Sequence, residues 1–150
     1  MEQNELREAI EFAIEKEQEA ADWYNDLAGN VKMKAIAEEL KKMVAVEKGH
    51  RDRLKSMDVN AYTKTEVKPG IDLKIADYIV DKEPTPDMSW QDLLQIAMRR
   101  ELAAMNLYTD LSKLTPDPAI KQFFENLAAE EEGHKLFFEK TWDDEVLTDN

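Results

Sequence analysis

Apolar residues recur at alternating steps of four and three along four stretches of the chain. Leu6, Ile10, Ala13, Glu17, Ala20, Tyr24 and Leu27 form the first series, and Ile36, Leu40, Met43, Glu47, His50, Leu54 and Met57 the second. Trp90, Leu94, Ala97, Glu101, Ala104, Tyr108 and Leu111 form the third, and Ile120, Phe124, Leu127, Glu131, His134 and Phe138 the fourth. Such spacing puts each series on one stripe of an α-helix and predicts four amphipathic helices. End signals agree. Ser89 is placed to cap the third helix, Asp117–Pro118 supplies an N-cap followed by proline at the first helical position, and Gly29–Asn30 closes the first helix.

The second pair of helices repeats the first at an offset of 84 residues without a gap. Ala13, Glu17, Tyr24, Asp26, Leu27, Glu47, Gly49 and His50 recur as Ala97, Glu101, Tyr108, Asp110, Leu111, Glu131, Gly133 and His134. The expected fold is therefore all-α: a four-helix bundle of two helical hairpins joined by a long crossover. Hairpin 1 spans about 3–57, the crossover about 58–88, hairpin 2 about 89–141, and a polar C-terminal tail 142–150, all within a single domain. Lys68–Pro69–Gly70 and Glu83–Pro84–Thr85–Pro86 break regular structure in the crossover, and 71–80 is expected as a short helix within it.

Each seam is apolar except at its middle. There the interruptions are Glu17, Glu47 with His50, Glu101, and Glu131 with His134. Facing residues of a helical hairpin lie equally far from its turn. Glu17 and Glu47 are equidistant from residue 32, and Glu101 and Glu131 from residue 116, both in or beside predicted turns. The six groups are thus expected to converge at mid-height. Four buried carboxylates without compensation would cost many kcal/mol. Two divalent cations cancel the four negative charges, and mixed carboxylate and imidazole donors suit Fe or Mn better than structural zinc.

Composition narrows the alternatives. The chain has 150 residues, no cysteine and a formal net charge of −13. That size suits one well-buried core, and the lack of cysteine excludes disulfides, thiolate metal sites and thiol catalysis. A polyanion does not favour nucleic acid or anionic membranes as partners. The apolar runs are too short to span a bilayer, and the acidic, polar N-terminus is unlike a signal peptide, so a cytoplasmic location is expected.

The motifs Ala13–Ile14–Glu15–Lys16–Glu17 with Tyr24, Glu47–Lys48–Gly49–His50, Glu101 with Tyr108, and Glu131–Glu132–Gly133–His134 resemble the ferritin-like di-iron superfamily, most closely its rubrerythrin branch. The resemblance covers both hairpins. It implies a dinuclear non-haem iron site in which Glu47 and Glu131 bridge the metals, Glu17 and Glu101 are terminal ligands, and His50 and His134 bind one ion each. Mn or Zn are alternative metals. The implied activity is reduction of hydrogen peroxide or O2 with Fe(II); a ferroxidase or a non-catalytic metal-binding bundle are the alternatives. The chain departs from rubrerythrins at Ala104, where they carry a further glutamate, and it lacks their cysteine-rich rubredoxin module. Electrons would therefore come from a separate donor protein. The six-ligand set is closer to that of bacterioferritin, but these 150 residues offer no pattern for a ferritin fifth helix, so a storage cage is not expected. Dimers are common in the superfamily, so a homodimer is expected. Tyr24 and Tyr108, seven residues beyond Glu17 and Glu101, lie on the ligand face about 10 Å further along their helices. They are candidates for bonding a ligand carboxylate or supplying an electron; the alternative is a core aromatic with a satisfied hydroxyl.

Overall fold

A computed structural model describes residues 3–57 and 73–149. It contains four long helices and, among the described residues, no strand: α1 (Gln3–Asn30), α2 (Lys34–Ser56), α3 (Trp90–Leu114) and α4 (Pro118–Asp149). The chain divides into two compact units, Met1–Thr65 and Glu66–Asn150. The first holds α1 and α2 and the second holds α3 and α4, so each unit contains one of the expected hairpins.

In the first unit, Leu6, Ile10, Ala13, Tyr24 and Leu27 of α1 are buried, as are Leu40, Met43 and Leu54 of α2. Ala20 is only half-buried, and Ala21 beside it takes the interior position. Each fully buried Leu or Ile contributes about 1.5–3 kcal/mol of apolar transfer. Helix α1 ends at Asn30, within the expected Gly29–Asn30 stop. Gly29 stays helical, while Asn30 donates its side-chain amide to the Asp26 carbonyl at 2.9 Å and Val31 N–H donates to Leu27 O at 2.9 Å. Three residues later α2 begins, capped by Met33 without a side-chain hydrogen bond.

In the second unit both predicted caps form. The Ser89 hydroxyl accepts from Asp92 N–H at 3.1 Å. Asp117 Oδ1 accepts from Ala119 N–H at 2.8 Å and from Ile120 N–H at 3.3 Å, and Pro118 opens α4. The hairpin register is the expected one: Tyr108 and Phe124, equidistant from residue 116, stack with ring centroids 6.3 Å apart. Helix α4 continues to Asp149, through the polar tail, where the sequence offers no apolar stripe. Of the short helix expected over 71–80, a 3-10 turn forms at Ile75–Tyr78; residues 71 and 72 lie outside the described residues. Leu73 and Tyr78 are buried, and Tyr78 donates its hydroxyl to Asp110 of α3. Glu83, further along the crossover, pairs with Arg100 of α3 at 3.1 Å.

Candidate metal centre

Both hairpins carry a buried set of two glutamates and one histidine at mid-height. In the first, α1 supplies Glu17, and α2 supplies Glu47 and His50 one turn apart, so both point the same way. All three are at most 3% exposed. Each brings one ligand atom within 4.8 Å of the others, and His50 Nδ1 stands 3.5 Å from Glu17 Oε2.

The second hairpin repeats the arrangement. Glu101 of α3 and Glu131 of α4 are buried, and His134 is 12% exposed. His134 Nδ1 lies 3.6 Å from Glu101 Oε1 and 3.9 Å from Glu131 Oε2. Again each of the three places a ligand atom within 4.8 Å of the others.

These separations exceed those of an ordinary hydrogen bond. They suit atoms that share a cation, because donors about 2 Å from one ion stand roughly 3–4 Å from each other. The donor set is oxygen and imidazole nitrogen with no sulfur, matching a hard or borderline divalent metal rather than a soft one. Two carboxylates and one neutral imidazole per set also balance the charge of one divalent ion. By donor chemistry, burial and spacing, the residues present fit a metal.

Residues 92–150 match the family model for rubrerythrin. Over these residues the chain is similar to rubrerythrin. The match lies on the second hairpin, and the first repeats that hairpin's candidate ligand residues at the offset of 84. Searches of curated proteins and of solved structures returned no significant match.

Tyr24 and Tyr108 are each 1% exposed. The Tyr24 ring lies beside half-buried Trp23, with centroids 5.7 Å apart, and Tyr108 stacks on Phe124. Ala104 is half-buried and offers no ligand atom. A cleft of about 370 Å³ on the second hairpin is lined by Met105, Thr109, Lys121, Glu125 and Glu132 among others, and by none of the six ligand candidates. Among the described residues, no helix is long and apolar enough to cross a membrane.

Proposed function

We propose that Glu17, Glu47, His50, Glu101, Glu131 and His134 together hold two iron ions in one ferritin-like domain, and that the protein is a non-haem di-iron oxidoreductase reducing hydrogen peroxide or O2. The observation that carries this reading is the repeated buried Glu, Glu, His set in a rubrerythrin-like chain. Glu17, Glu47, Glu101, Glu131, His50 and His134 would be the residues that hold the ions, the carboxylates supplying charge and the histidines neutral nitrogen donors. Four carboxylates and two neutral imidazoles carry −4, which two Fe(II) ions neutralise. When bound, two Fe(II) ions would supply the two electrons needed to reduce one oxidant molecule.

The protein's own residues prepare that chemistry. Helix backbones place the four carboxylates before any metal arrives, so little side-chain freedom is lost on binding. The apolar seam above and below them, with Leu94, Ala97, Phe124 and Leu127 in the second hairpin, excludes water from the donor set. A separate one-electron donor protein restores the reduced state. With no cysteine to protect or exploit, the chain suits a reducing cytoplasm.

The first test is metal analysis by mass spectrometry on protein purified without added metal, beside Glu47→Ala/Glu131→Ala. About two Fe per chain, lost in the double variant, supports the reading. No metal after anaerobic Fe(II) loading overturns it. Turnover of peroxide with a reductant then separates a peroxidase from a ferroxidase, which would instead show net iron uptake.

A further inference from the structure

The internal repeat that preserves the ligands reverses the charge of one outer stripe. On α2 that stripe runs Lys41, Ala45, Lys48, Asp52, Lys55, all exposed. The same positions on α4, 84 residues later, are Glu125, Ala129, Glu132, Leu136 and Glu139. Three lysines at seven-residue spacing therefore answer three glutamates at seven-residue spacing. Glu125 and Glu132 are exposed, the Glu139 side chain is 42% exposed and ion-paired with Lys135 at 2.7 Å on its own helix, and Leu136 is 53% exposed.

We propose that the α2 stripe of one copy docks antiparallel on the α4 stripe of a second copy. Equal spacing gives both stripes the same pitch, about 10 Å between successive charges. Three Lys–Glu pairs then form together: Lys41 with Glu139, Lys48 with Glu132, and Lys55 with Glu125. Antiparallel rather than parallel alignment follows from the residues between them. Antiparallel, exposed Leu136 meets Ala45, whose small side chain leaves room for it, and Asp52 meets Ala129. Parallel, Leu136 would meet Asp52, already ion-paired with Arg51 at 2.9 Å, and would press an apolar side chain on a charge. The net charge of −13 opposes self-association at long range, but at physiological salt it is screened beyond about 8 Å. Contact pairs lie inside that distance. Exposed ion pairs contribute little energy singly, so their role is to select partner and register, with Leu136 on Ala45 supplying apolar contact. Each copy offers both stripes. Reciprocal use closes a dimer, and non-reciprocal use extends a chain of copies.

The proposal does not depend on the metal reading, and its test reads mass rather than activity. Analytical ultracentrifugation of the wild-type chain across a concentration series should show species above the 17.4 kDa monomer. Lys41→Glu/Lys48→Glu/Lys55→Glu alone should be monomeric, because acidic α2 then faces acidic α4. Glu125→Lys/Glu132→Lys/Glu139→Lys alone should also be monomeric, because both stripes are basic. Mixing the two variants should restore association, since every contact between unlike chains is complementary again. Recovery on mixing also shows that neither variant is misfolded. Leu136→Asp, with helicity checked by circular dichroism, should weaken association of the otherwise native chain. A wild-type monomer at all concentrations overturns the proposal and leaves the lysine stripe to an acidic partner of another kind. Undiminished association in either charge-reversed variant, or failure of the mixture to associate, overturns it as well.

Discussion

Replacing Gly49 and Gly133 with alanine should stabilise the metal-free protein. Both glycines lie inside helices, one residue before His50 and His134, and a Cβ built at either meets no heavy atom within 4 Å. Neither has the left-handed backbone that would exclude a side chain. Glycine inside a helix costs about 0.5–1 kcal/mol relative to alanine, through the extra freedom of the unfolded chain. With one site in each hairpin the effects should add, to about 1–2 kcal/mol. For a chain of this length each kcal/mol raises Tm by about 2–4 °C, so the double variant should melt roughly 2–8 °C higher. Thermal and urea unfolding followed by circular dichroism, on protein stripped with a chelator, measure this without a contribution from bound metal. Destabilisation by either single change would refute the reasoning, since it would mean that the space is filled or the local backbone is not helical. A gain in stability coupled to weaker metal binding would show that backbone freedom beside the histidine serves the site.

Three further perturbations test separate parts of the structure. Tyr78→Phe removes the hydroxyl donated to Asp110 and should cost about 1 kcal/mol at neutral pH. Burial and the Asp110 contact raise the Tyr78 pKa above its usual 10.0, so its contribution is complete below about pH 10 and declines as pH rises further. Urea midpoints at neutral and alkaline pH should therefore converge for wild type and variant; a gap that widens in alkali contradicts this. Asp117→Ala leaves the start of α4 without its side-chain acceptor and should cost about 1 kcal/mol in chemical unfolding, against no change if the cap is dispensable. Tyr24→Phe and Tyr108→Phe keep the buried rings and should leave metal content unchanged. Electron paramagnetic resonance after peroxide treatment then assigns any tyrosyl radical to the residue whose change removes it, and the lack of a radical in wild type assigns both rings to packing.

The hairpins were legible because an amphipathic helix writes its period into the chain, and because turns place facing residues at equal distances. Tyr108 finds Phe124 as that rule requires, and Glu101 meets His134, one turn beyond the facing Glu131. Asp117 and Ser89 cap as their side-chain chemistry dictates. Other features leave no periodic trace. The extension of α4 to Asp149 adds one hydrogen bond per residue to a helix already nucleated, so it needs no apolar face to show in the sequence. A four-residue 3-10 turn is too short to have a detectable period. Tyr78 reaches Asp110 across 32 residues, a pairing fixed by tertiary packing alone. The Gly29–Asn30 signal marked the end of α1 correctly, and the Asn30 side chain bonds the Asp26 carbonyl there.

Helix pairing within each unit joins segments separated by only three residues, 31–33 in one hairpin and 115–117 in the other. Closing so short a loop costs little entropy, and contacts that are local in sequence favour rapid folding. In vectorial synthesis the turn between α1 and α2 is complete, and Ser56 has been added, before Trp90 begins α3. The Glu17, Glu47 and His50 set can thus assemble in a nascent hairpin while its repeated counterpart is still unmade. Assembly of that donor set and completion of the fold become events separable in time, set by the order in which the chain is translated.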